Sequence, residues 1–226
     1  MKKEYWAHLE TMLKEHGFSR VPSQQQGTSI RWFGCAATGA DVTAYLRFDS
    51  KPTSRILTVH LGWRHDAAYD FFLEALKADW PRGFSWLSEV GVLDAPCVCQ
   101  FFLGSYMRPA YGISFREPQS FYEEVSRFGE LIARSDWGNL NAKGLLARYV
   151  TDEKPFGWLS SCSCAIRLAL IAGLCANKVG GSEEVFDRCA KTYSKLIEAD
   201  MASLGTGSSW IAALRTRLLS AIEPVV

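Results

Sequence analysis

The chain has 226 residues and a formal net charge of +1, from 25 basic and 24 acidic side chains. The two signs are scattered through both halves, which excludes the one-signed field that draws a protein onto nucleic acid or anionic lipid. Hydrophobic residues make up 48% and charged residues 22%, so the composition excludes intrinsic disorder and predicts a globular fold with a sizeable core.

The first part of the chain begins with a helical pattern and continues with alternating, strand-like segments. In residues 2–16 apolar side chains recur three and four apart, which predicts an amphipathic helix that Gly17 ends. Residues 29–35, 42–48 and 56–63 alternate between two faces and are separated by turn sequences. They predict an antiparallel meander of three strands.

A second helix is predicted to begin near His65 or Asp66, with Asp66 as its cap, and to end before Pro81. Residues 85–90 predict one short helical turn, and the apolar residues 95–103 predict a further buried strand.

Beyond Pro118 the pattern becomes helical and stays so to the C-terminus, and Phe121, Val125, Phe128 and Ile132 share one face of its first helix. Further helices are predicted at residues 141–150 and 159–177, from residue 182 onward, and at residues 208–223. The most uniformly apolar of them, residues 159–177, is expected to be the central helix of this half. We predict an α+β class with a single domain over residues 1–226, in which residues 1–117 form a helix plus antiparallel sheet and residues 118–226 form a helical bundle packed against it.

The composition of the N-terminus and of the cysteines indicates a cytoplasmic protein. A continuous apolar run of the secretory type is missing, and the longest apolar stretch, residues 165–176, is shorter than the roughly 20 residues that cross a bilayer. Seven cysteines without CxxC spacing fit a reducing compartment. Cys164 and Cys175 follow helical spacing with Leu168 and Ile171, which predicts core thiols.

The strand-to-helix junction His60-Leu61-Gly62-Trp63-Arg64-His65-Asp66 is the densest group of polar candidates. His60 and His65 could ligate a divalent metal, but the other histidines, His8 and His16, both fall on the first helix. A thiol such as Cys162 or Cys164, at a helix start, could serve as a nucleophile with one of these histidines. No local signature selects either chemistry, so we predict no catalytic residue, metal site or cofactor.

Eight tryptophans exceed what a plain core needs, which raises the hypothesis of a binding surface. Tryptophan, tyrosine and arginine are favoured anchors in protein interfaces. Two loop regions offer this chemistry, and the predicted partner-binding residues are Trp63, Arg64, His65, Tyr106 and Arg108. The alternative interpretation is that the large rings fill the core between sheet and helices.

The order of elements in the first half is similar to that of small cytoplasmic bacterial immunity proteins, which neutralise a toxin by binding it. The residues concerned are Glu15-His16-Gly17-Phe18 at the end of the first helix, the meander, and Thr58-Val59-His60-Leu61-Gly62-Trp63 before the next helix. The resemblance implies a stoichiometric protein partner, such as a toxin domain, and no catalytic residues. Immunity proteins against basic nucleases are often acidic, whereas this chain is neutral, which argues against a nuclease partner.

We therefore expect a non-enzymatic protein-binding module without nucleic-acid or membrane partners. The alternative is a small-molecule hydrolase or transferase, with a cleft between sheet and bundle and with His60, His65 and a cysteine as its candidate catalytic groups.

Overall fold

The computed structural model describes residues 1–22, 30–36, 41–79, 100–102, 111–134, 140–151, 164–177, 179, 182–201 and 207–222. Its elements are α1 (Lys3–Glu15), β1 (Ser19–Val21), β2 (Ile30–Ala36), β3 (Val42–Lys51), β4 (Ile56–His65), α2 (Asp66–Asp79), β5 (Gln100–Phe102), β6 (Tyr111–Ser114), α3 (Pro118–Ala133), α4 (Ala142–Thr151), α5 (Cys164–Ala176), α6 (Glu183–Met201) and α7 (Gly207–Ile222). An N-terminal helix, an antiparallel sheet and a following set of helices confirm the predicted α+β class. The helical turn predicted at residues 85–90 lies outside the described residues.

The sheet is antiparallel, with the strand order β1-β2-β3-β4-β5, and β6 also pairs with β4. The central register places Phe33 opposite Leu46 and Leu46 opposite Leu61, so the predicted meander of β2, β3 and β4 is confirmed. The strands β1 and β6 were not predicted. Segments of three and four residues are too short to display a recognisable alternation.

The two short strands β5 and β6 lie end to end along the same edge of β4. Phe102 pairs with His60, and Tyr111 pairs with the next residue of β4, Val59. The two strands therefore occupy the positions of one continuous strand, from which the chain departs after Phe102 and to which it returns at Tyr111.

One face of the sheet is apolar and is covered by α1 and α3. Alternation along β3 places Leu46 and Phe48 on this face, both fully buried. The Phe48 ring lies 5.8 Å from the ring of Phe128 on α3 in an edge-to-face arrangement, and Tyr5 on α1 stacks on Phe121 at 4.4 Å. These aromatic contacts join the two helices to each other and to the sheet.

The helical half is organised around α5, where the structure buries every residue from Cys164 to Cys175. This helix contacts α2, α4, α6 and α7. Within the described residues, α5 confirms the predicted central helix, and Cys164 and Cys175 are buried as predicted. Because α2 follows directly from β4, this packing also ties the bundle to the end of the sheet. A membrane-spanning helix is not found among the described residues.

Candidate functional site

The junction between β4 and α2 contains three of the five predicted partner-binding residues, and Trp63 is the most deeply placed of them. Its side chain is 3% exposed. Trp63 pairs with Ala44 and lies on the apolar face of the sheet, two residues along the strand from Leu61. The ring therefore fills the core, in agreement with the alternative interpretation of the tryptophans. Trp63 packs beneath the junction and is not available to contact a partner.

Arg64 points to the opposite face and connects the end of the strand with the first turns of α2. Its Nε atom lies 2.7 Å from Asp66 Oδ1, and its guanidinium carbon lies 4.2 Å above the centre of the Tyr69 ring. The side chain is 24% exposed. Arg64 is thus held in one orientation by an ion pair and a cation–π contact, with part of its surface open to water.

His65 caps α2, whereas the sequence predicted that Asp66 would do so. The Nδ1 atom of His65 accepts a hydrogen bond from the backbone N–H of Ala68 at 3.2 Å, which is the geometry of an N-cap side chain bonded to the third helical residue. The prediction for Asp66 was wrong because its carboxylate is turned toward Arg64.

The other ring nitrogen of His65 faces Asp41. The Nε2 atom lies 3.6 Å from Asp41 Oδ2, while Asp41 Oδ1 accepts a hydrogen bond from the backbone N–H of Ala142 at 3.1 Å. Asp41 precedes β3 and Ala142 opens α4, so this chain of contacts joins the sheet, α2 and α4. The sequence carries no signal for it, because Asp41 and Ala142 are 101 residues apart.

The remaining predicted partner-binding residues, Tyr106 and Arg108, lie outside the described residues. The segment that contains them starts and ends at Phe102 and Tyr111, opposite His60 and Val59. His60 is four residues from Arg64 along β4, which corresponds to about 13 Å. The points where the segment leaves and rejoins the sheet therefore lie beside β4, the strand that carries Arg64 and His65.

His60 lies on the second face of the sheet, opposite Arg47 of β3. Burial, followed by the positive charges of Arg47 and Lys51, lowers the pKa of His60 to about 4. His60 is thus neutral at pH 7 and a weak base, whereas a general base works best with a pKa near the operating pH.

Three of the described thiols have raised pKa values. Cys35, Cys164, Cys175 and Cys189 are not in disulfide bonds, and burial raises the pKa of Cys35 and Cys189 and raises that of Cys175 to about 11. A nucleophilic cysteine needs a lowered pKa. Cys97, Cys99 and Cys162 lie outside the described residues.

The helical half contains a second polar cluster that sequence reasoning missed. Arg167 of α5 is completely buried, donates a hydrogen bond to the backbone carbonyl of Tyr149 and lies over the Tyr193 ring at 5.1 Å. The Tyr193 hydroxyl donates to the same carbonyl at 3.3 Å. Tyr149 is in the last turn of α4, where carbonyls lack helical partners, so the cluster closes that helix end.

A metal-binding group of three or more histidine, cysteine, aspartate or glutamate side chains is not found within the described residues. Comparison of the chain with protein-family models, with curated proteins and with solved structures finds no significant match.

Proposed function

We propose that this chain is a non-enzymatic protein-binding module whose partner contacts the junction of β4 and α2 together with the segment between β5 and β6. The observation that carries the proposal is the register of those two strands. Since Phe102 and Tyr111 pair with consecutive residues of β4, the pairing along this edge of β4 continues from Phe102 to Tyr111 without residues 103–110.

The chemistry of the inserted segment supports a protein partner. Residues 103–110 read Leu-Gly-Ser-Tyr-Met-Arg-Pro-Ala and contain Tyr106, Met107 and Arg108, three residue types that are enriched in protein interfaces. Loops carried by a rigid scaffold are common places for binding residues. Arg64, partly exposed and held by Asp66, extends the same chemistry onto the described part of the molecule.

Binding is favoured over the alternative of a small-molecule enzyme by the state of its candidate catalytic groups. His60 is a weak base, both ring nitrogens of His65 face groups of the protein, and burial raises the pKa of the Cys35, Cys175 and Cys189 thiols. A catalytic site made of these groups needs them to be poised for proton transfer or attack.

The kind of partner follows from the resemblance to immunity proteins. We propose a toxin domain bound with one-to-one stoichiometry in a bacterial cytoplasm. Because the net charge is +1, the partner is expected to be less basic than the nucleases that acidic immunity proteins bind.

The test is co-purification of the tagged full-length chain from its native cells, followed by native mass spectrometry. We expect one protein in equimolar complex, and protection of cells that express this partner when the chain is co-expressed. The double variant Tyr106→Ala/Arg108→Ala should lose the complex. Tyr122→Ala, which removes a 39% exposed aromatic ring from α3, is the matched control and should retain it.

A deletion of residues 103–110 separates binding from folding. It joins Phe102 to Tyr111 and preserves the alternation of the strand, so we expect a folded protein that no longer binds. Retention of the complex by both the deletion and the double variant would overturn the assignment of this surface. A chain that purifies alone, without a partner in any growth condition, would overturn the function.

A further inference from the structure

The contacts of His65 assign the tautomer of its ring. Nδ1 accepts a hydrogen bond from the N–H of Ala68, so this nitrogen carries no proton in the folded structure. The single ring proton is then on Nε2, which faces Asp41 at 3.6 Å. The ring is neutral and serves as the N-cap of α2.

A second proton on this ring is incompatible with the cap. It would be added to Nδ1, so that two donors, the ring N–H and the Ala68 N–H, would face each other. Protonation therefore requires the first turn of α2 to move away from the ring. Histidine is the side chain that ordinarily changes its charge between pH 5 and 8.

The charged surroundings of His65 act in both directions. The Asp41 carboxylate favours an imidazolium ion, but it is 54% exposed and is also engaged with the Ala142 N–H. The N-terminal end of α2 disfavours a cation, and so does the guanidinium of Arg64, which Asp66 partly compensates. On α4, Lys143 is exposed in the first turn.

We propose that His65 is a proton-controlled latch between the sheet and the helical bundle: in its neutral form it closes the first turn of α2 against the end of β4, and a second ring proton opens that turn. This inference does not depend on the identity of a partner.

The test compares wild type with His65→Asn by amide hydrogen exchange. Asparagine is a strong N-cap residue and keeps a side-chain acceptor for the Ala68 N–H, but it does not titrate. Between pH 7.5 and 5.5 we expect the protection factor of the Ala68 amide, corrected for intrinsic exchange, to fall about fivefold in wild type, the equivalent of one capping bond. In His65→Asn it should stay constant.

A second measurement needs no variant. In a titration of the wild-type protein followed by nitrogen NMR, the Ala68 amide signal should move together with the His65 ring signals. The latch would be overturned if the protection factor of the Ala68 amide changed with pH equally in wild type and in His65→Asn. It would also be overturned if the Ala68 amide signal did not move while the His65 ring titrates.

Discussion

Among the described residues, the sheet and the helical bundle each contain an arginine that is shielded from water, Arg47 and Arg167, and the two settings differ. Arg47 in the sheet is 20% exposed, lies 3.9 Å from Asp49 Oδ2 and has its guanidinium carbon 5.8 Å from the Trp32 ring. Arg167 in the bundle is completely buried and bonds to the carbonyl of Tyr149. Because burial alternates along β3, Arg47 lies on the less buried face of the sheet. In α5 every residue from Cys164 to Cys175 is buried, so Arg167 has no exposed helix face to lie on.

The comparison shows how a charge is tolerated in each setting. On the second face of the sheet, burial lowers the pKa of Arg47 and the neighbouring Asp49 raises it, so a carboxylate compensates part of the cost of burial. In the bundle, Arg167 is placed where a helix end leaves a carbonyl without a backbone partner. A buried charge in an otherwise apolar helix therefore depends on a hydrogen-bond acceptor that another element places beside it, here the backbone carbonyl of Tyr149.

The largest expected effect comes from truncating Arg167, and truncation of Arg47 is the comparison. Arg167→Ala should destabilise the protein by about 4 kcal/mol, because it removes a fully buried side chain together with a hydrogen bond to a helix end. Arg47→Ala should cost about 1–2 kcal/mol, since its side chain is partly hydrated. Urea unfolding of both variants measures the difference. Equal losses would break the comparison.

A smaller effect is expected from the pH dependence of the second sheet face. The pKa of His60 is about 4 in the folded protein, against an ordinary value of 6.5 that applies to the unfolded chain. The folded state therefore binds fewer protons than the unfolded state between these two pH values, and the free energy of unfolding rises with pH in this window. Wild type should lose about 3 kcal/mol, relative to His60→Gln, as the pH falls from 7 through about 4. Unfolding curves of the two proteins at both pH values give this difference. If the two lose stability equally, the second face is more hydrated than the structure shows.

A smaller effect than that of His60 concerns how tightly the bundle packs. A Cβ at Gly173 of α5 would lie 2.6 Å from the carbonyl oxygen and 2.9 Å from the Cα of Ala68 on α2, and backbone atoms cannot yield locally. Gly173→Ala should therefore destabilise by about 2 kcal/mol.

Gly144→Ala is the matched control for this substitution. Its nearest obstacle is the Cδ1 atom of Leu140 at 2.8 Å, the end of a flexible side chain, and alanine favours the helix by about 1 kcal/mol. A neutral or stabilising Gly144→Ala beside a destabilising Gly173→Ala would show that α2 and α5 are in backbone contact. Thermal unfolding of the two variants distinguishes the cases, and equal melting temperatures would contradict the close crossing.

The sequence alone was sufficient for the elements with a strong internal period. Alternation in β3 and β4 and the three-and-four spacing in α1 and α3 predicted these elements to within a few residues, as did the apolar run of α5. Such patterns are local, since each depends on which face of a single element is buried. They were also enough to place Trp63 on the same strand face as Leu61, where the structure buries it.

Only the tertiary structure decided which elements meet. Nothing in the sequence shows that β5 and β6 share one edge of β4, that His65 rather than Asp66 caps α2, or that Asp41 reaches the start of α4. In the sequence Arg167 only interrupts an apolar helix, whereas in the structure it is hydrogen-bonded to the backbone carbonyl of Tyr149. These contacts join residues far apart in the chain, and their free energy depends on the packing of whole elements, which a local period does not encode.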